Sequence, residues 1–217
     1  MFNYSCDYIG FGSDLGLAWS IIKNPGRFAG KQMNYLSALK LYYEATVMPF
    51  ILSLVVGIPV ILIGVNVFLV PFSNAFIGAG LTIAFVIGLI LSLWIIVPIG
   101  IFINAFIYHL VGKYILNAWN KDYEKTFVAT LFGTLPEVFL YWLLPIPLLN
   151  VAAIVAMVVW NLIVLTISLS LQHRTSRINA FVAIVASVLL VIIIAFLFMA
   201  LLYSMIVPAV GIMPHFV

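Results

Sequence analysis

The sequence predicts an all-α, polytopic membrane protein: a transmembrane bundle of five helices preceded by an N-terminal amphipathic helix. Three observations predict it. Of the 217 residues, 66% are hydrophobic and only 7% charged, with a mean hydropathy of +1.29, whereas soluble domains carry about a quarter charged residues. Apolar stretches at 47–70, 76–110, 127–144, 151–171 and 178–207 reach the length of about 20 residues that a helix needs to cross about 30 Å of hydrocarbon. The connections between them alternate in charge. Lys23, Arg27, Lys31 and Lys40 precede the first stretch, Lys113, Lys121 and Lys125 follow the second, and Arg174 and Arg177 follow the fourth. The segments 71–75, 145–150 and 208–217 have no lysine or arginine. Cationic side chains resist translocation, so the expected orientation in a cell membrane is N-terminus in the cytoplasm and C-terminus outside. A cytoplasmic region at 1–46 then leads into a five-helix domain at 47–217.

The first residues, MFNYSCDYIGFGSDLGLAW, lack a basic flank followed by an apolar core, so no cleaved signal peptide is expected. Cys6 is the one cysteine, which excludes an intramolecular disulfide and reads as an ordinary thiol. In SDLGLAWSIIKNPGRF, Ser13 or Asp14 offers an N-cap, and Leu15, Ala18, Trp19 and Ile22 recur at helical spacing. The expected place of this amphipathic helix is the headgroup plane, with Trp19 in the interface and Lys23 and Arg27 toward anionic lipid headgroups; docking on the bundle is the alternative. Asn24, Pro25 and Gly26 predict a turn, and a second helix at 33–44 leads into the first span.

The second stretch is long for one crossing, about 52 Å as a helix. Pro98 is expected to bend it, and His109 and Lys113 to share one face of a cytoplasmic extension. Gly80, Ala84, Gly88 and Ser92 recur every four residues, with Gly100 and Asn104 continuing the row. Such a groove admits close backbone approach, the main source of helix association in lipid. The expected partner is a helix of the same chain; a second protomer or another membrane protein stays open. Trp94, Trp119, Tyr141, Trp142 and Trp160 read as packing or interface anchors.

Glu137 stands in the third stretch directly after Pro136. Counting helix rise from the basic residues places it about 18 Å deep, with Asn161 at about 18 Å and Asn104 at about 14 Å. An acid or amide in hydrocarbon turns inward and bonds its own kind, so a cluster of Glu137, Asn104 and Asn161 is expected. No lysine or arginine lies at that level, so the carboxyl is expected to keep its proton and to donate. Two roles fit: interhelical glue, or a proton or cation site.

A Pro-x-x-Phe element (Pro25, Gly26, Arg27, Phe28), a Ser-Ala-Leu helix (Ser37, Ala38, Leu39), the segment GKYILNAWNKDYEKTF leading into FGTLP, and the turn QHRTSRINA together resemble the Yip1 domain family over roughly 25–191. The resemblance implies five spans and a cytosolic N-terminus. Eukaryotic members of that family act in vesicle trafficking with prenylated Rab-type GTPases, and prokaryotic members are mostly of unassigned function. This chain has a brief N-terminal region and no Asp-Leu-Tyr-Gly-Pro element, so it resembles a prokaryotic member and Rab binding is not carried over.

No nucleophile–base pair, metal-ligand cluster, phosphate loop or flanked dinucleotide fingerprint is present, and GFGSDLG has neither a preceding strand nor a P-loop lysine. No catalysis, cofactor or metal is therefore expected. Nine basic residues spread over separate loops make no nucleic-acid stripe. The sequence reads as a non-enzymatic, Yip1-like membrane organiser or adaptor, the alternative being a small proton- or ion-coupled transporter or channel using Glu137. A third reading gives the N-terminal helix and basic loops a role in headgroup recognition.

Overall fold

The fold is all-α, and the computed structural model describes residues 11–68 and 75–210. Cys6, most of the predicted 71–75 turn and the tail from 211 lie outside the described residues. Helix α1 spans Phe11–Lys23, the single turn α2 Pro25–Phe28, α3 Tyr35–Phe68, α4 Ala75–Leu91, α5 Val97–Leu110, α6 Tyr123–Leu140, α7 Asn150–His173 and α8 Arg177–Val210. Five stretches are long and apolar enough to cross a bilayer: Tyr35–Gly64, Ala79–Ile115, Tyr123–Leu143, Asn150–His173 and Arg177–Ser204. The chain is an integral membrane protein.

The predicted approach helix at 33–44 and the first span are one continuous helix, α3. It starts where the Asn34 side chain accepts the Ser37 N–H at 2.7 Å, satisfying one of the free amides of the first turn. A second free amide, that of Tyr35, donates to Glu124 on the first turn of α6 at 3.0 Å. Pro49 and Pro59 both lie inside α3 without ending it.

The long second span is also continuous, and its irregularity has a cause. Five residues, Ser92–Ile96, form a π-helical turn just before Pro98. The Val97 N–H bonds back to Ser92, and Pro98 has no N–H to give, so the carbonyls of Leu93 and Trp94 lose their usual donors. Two tyrosines of α3 replace them: Tyr42 donates to Leu93 at 2.6 Å and Tyr43 to Trp94 at 3.4 Å. A second π turn, Val111–Ile115, ends the span.

Helix α6 is central. Two thirds of its span window is buried, 67%, against 17% for α3 and α8. It packs on α3, α5 and α7. Gly133 lets α7 come close: a Cβ there would stand 2.8 Å from Leu165 Cβ and 3.2 Å from its Cα. These contacts gather the start of α3, the end of α5, both ends of the α5–α6 connection and the α7–α8 turn at one end of the bundle, here called the basic end.

Helix α1 differs from its expected position. It docks on α3 and α6, with Ala18 and Ile21 fully buried, and the Trp160 indole of α7 donates to the Ile22 carbonyl at 3.1 Å. Ser13 and Asp14 are not caps, because the helix already begins at Phe11; Asp14 instead pairs with Lys40 at 3.6 Å, which also meets Glu44 at 3.5 Å. The outward face keeps Trp19 half exposed, its ring 5.7 Å from that of Phe139, and leaves Lys23 and Arg27 exposed.

The small-residue row also differs from expectation. Gly80, Ala84 and Gly88 are exposed, and a Cβ on Gly80, Gly88 or Gly100 would meet nothing within 4 Å. The close approach between α3 and α4 uses the opposite partner: Phe85 of α4 lies over Gly57 of α3. Ser92 leaves the row to share a hydrogen bond of 2.9 Å with the Tyr141 hydroxyl.

Candidate functional site

The face of α6 that carries Glu137 also carries Thr130 and Thr134, whose hydroxyls bond back to the carbonyls four residues earlier at 2.8 and 3.0 Å. Pairing of this kind lets a hydroxyl sit in an apolar interior without a distant partner. Glu137 is half buried, and the Asn161 amide of α7 donates to its Oε1. Helix α5 brings Asn104 and Tyr108 to the same place, and all of these line one cavity of about 260 Å³ between α5, α6 and α7. The three polar residues expected at one level do share a space. Only Glu137 and Asn161 are hydrogen-bonded, while Asn104 is exposed at the cavity's edge and bonded to neither. Gly100 lines the cavity too, apart from the exposed Gly80, Ala84 and Gly88.

A second polar cluster at the basic end was not legible in the sequence. The hydroxyl of Thr126, fully buried on the first turns of α6, lies 2.9 Å from His109 Nδ1 and 3.0 Å from His173 Nε2. A hydroxyl has one proton to give and lone pairs to receive. Thr126 can therefore donate to one imidazole and accept from the other, which joins α5, α6 and α7. Trp119 stacks on His173 with ring centroids 4.7 Å apart and planes 22° apart. Its ring fills the space over Gly112, where a Cβ would stand 1.9 Å from it. That packing folds the α5–α6 connection back onto the bundle, helped by left-handed Asn117 (φ 48°) and a 2.7 Å bond from the Ala118 N–H to the Gly112 carbonyl. At the end of the second span Tyr114 and Ile115, and just after it Leu116, are exposed, as is Lys121 further along the connection.

The N-terminal segment closes the same end. Gln172 of α7 donates to the carbonyls of Ala29 at 3.0 Å and Lys31 at 2.9 Å. Among the described residues no group of three or more His, Cys, Asp or Glu is arranged to hold a metal ion. No protein-family model, curated protein or solved structure matches the chain.

Proposed function

We propose that this chain is a non-enzymatic membrane organiser or adaptor of the Yip1 type, with its basic end in the cytoplasm and acting through the surface built there. One observation carries the reading. Trp119 packs on Gly112 and folds the α5–α6 connection back onto the bundle, and where the second span ends Tyr114, Ile115 and Leu116 stay exposed, between Lys113 and Lys121 in the chain. Exposed aromatic and aliphatic groups set between charged ones have the character of a protein-contact surface. The positive-inside rule puts that surface in the cytoplasm. In this reading the Glu137–Asn161 bond fixes the register of α6 against α7.

The cavity beside Glu137 favours a second reading, a small proton- or ion-coupled transporter, since a half-buried carboxyl next to open space has room for an ion or water. Reconstitution into liposomes with pH and ion readouts separates the two. The organiser reading expects no flux above that of protein-free vesicles and a Glu137→Gln variant altered in thermal stability alone. Flux that Glu137→Gln abolishes would overturn it in favour of transport.

A further inference from the structure

The cavity that holds Glu137 has both polar and apolar walls. Asn104 is exposed at its edge and Glu137 and Asn161 are only partly buried, so the space reaches the outer surface of the bundle. Ile96 of the second span, which lines the cavity, and Ile154 and Val158 of α7, which line a neighbouring one, are exposed. That surface faces lipid, because these helices are membrane spans and the exposed neighbours of Asn104 on the second span, Phe102, Ile103 and Phe106, are apolar. A ligand entering by this mouth comes from the bilayer.

The lining selects its chemistry. Among the described residues no lysine, arginine or histidine lines the cavity and Glu137 is the one carboxyl that does, so an anionic head group would meet a like or unpaired charge. Asn161 engages one carboxyl oxygen of Glu137. The other oxygen, the Asn104 amide and the Tyr108 hydroxyl make up a set of acceptors and donors for a head group that itself donates hydrogen bonds. A second cavity of about 180 Å³ adjoins the first and shares Val97, Thr134 and Glu137 with it. Its remaining walls include Leu93, Val138, Met157 and Val158, an apolar slot next to the polar one. Pockets that fix a ligand by a few polar groups and hold its body by apolar ones are the common form of small-molecule sites.

We infer that the α5–α6–α7 cavity binds a long-chain amphiphile from the bilayer whose head group donates hydrogen bonds and carries no negative charge, an alcohol or an amine. The head lies between Glu137, Asn104 and Tyr108, and the start of the chain lies along the apolar slot. This goes beyond the organiser reading: amphiphile binding and ion flux are measured separately, and the loss of either leaves the other standing.

The test uses full-length protein in phosphatidylcholine nanodiscs and three probes with the same photoreactive chain, ending in an alcohol, an amine or a carboxylic acid. The expected result is labelling of α5 and α7 peptides beside the cavity by the alcohol or the amine, about tenfold above the acid. Asn104→Ala, which removes a side chain with no hydrogen bond among the described residues, is expected to lower that labelling about fivefold, the worth of one hydrogen bond. Gly100→Leu is expected to abolish it without loss of thermal stability, because a side chain there grows into open space and leucine favours helix over glycine. Glu137→Gln tells the two heads apart: amine labelling falls and alcohol labelling persists. Labelling by the acid equal to that by the others, or labelling unchanged in a folded Gly100→Leu variant, would overturn the inference.

Discussion

At the basic end, Thr126 sits fully buried between two imidazoles, Gln172 holds two carbonyls of the N-terminal segment, and Trp119 fills the space above Gly112. Toward the other end, every residue of α8 from 191 to 200 is exposed, and Gly80 and Gly88 of α4 face open space. The contrast separates two ways of stabilising a helix in a bilayer. Where helices meet, polar groups need named partners and small residues need a neighbour that uses the space they leave. Where helices face lipid, composition alone suffices, because hydrocarbon is as apolar as the side chains. Substitutions of the same kind should therefore differ in effect between the two regions.

The largest effect is expected from Gly133→Ala. Its added methyl would meet Leu165 Cβ at 2.8 Å and Cα at 3.2 Å, and neither atom can turn away without moving α7. Overpacking of this kind costs about 3 kcal/mol at the upper end. Thermal unfolding in detergent is expected to shift down strongly; an unchanged midpoint would mean that α6 and α7 pack less closely than here.

Thr126→Val comes next. It keeps the shape and removes the hydroxyl that both His109 and His173 use. Two buried imidazole nitrogens lose a partner, which costs about 2 kcal/mol in total. Thr126→Ser, which restores the hydroxyl, is expected to recover most of the loss. If Val and Ser variants melt alike, the hydroxyl bridge contributes nothing.

The sequence reached the fold further than it reached the site. Charge asymmetry and span lengths are local quantities, and helix rise alone brought Glu137, Asn161 and Asn104 to one level. The bridge through Thr126 could not be read in this way. His109 and His173 are 17 and 47 residues from Thr126, and a threonine in an apolar helix carries no sign of whether its hydroxyl bonds its own backbone, as Thr130 does, or another helix. The one available signal was that two of the three histidines lie at span ends of the same side. Helix α1 was legible as amphipathic, yet an apolar stripe looks the same whether lipid or protein covers it; burial of Ala18 and Ile21 decides for protein. Among the described residues no helix of the same chain packs on Gly80, Ala84 and Gly88, and the reason is geometric. The π turn at Ser92–Ile96 changes the register, so Gly100 and Asn104 line the cavity while Gly80, Ala84 and Gly88 stay outside.

Gln172→Ala tests the clamp on the N-terminal segment. Two hydrogen bonds to the Ala29 and Lys31 carbonyls disappear, a loss of about 1.5 kcal/mol. Most of that loss should stay local, because α1 keeps its apolar contacts with α3 and α6. Limited proteolysis between α2 and α3 is expected to speed up about tenfold while the main unfolding transition moves little. Equal protection in the variant and the parent would place the hold on this segment elsewhere, in the Trp160–Ile22 bond or the Tyr35–Glu124 bond.

The smallest effect is expected at the exposed face of α4. Gly88→Ala adds a methyl that meets nothing within 4 Å, and alanine favours helix over glycine by about 0.5–1 kcal/mol. If lipid covers this face, the variant is slightly more stable and its oligomeric state in nanodiscs is unchanged. The outcome depends on what lies outside the chain, which makes this residue more informative than its small effect implies. A second copy packed on the Gly80–Ala84–Gly88 row would bring backbone where the methyl must go, and the same substitution would then lower stability and shift the protein toward smaller species. Gly80→Ala, two turns away on the same face, should follow Gly88→Ala in sign. A gain at one and a loss at the other would limit any contact to a single turn of α4, too little for close helix association.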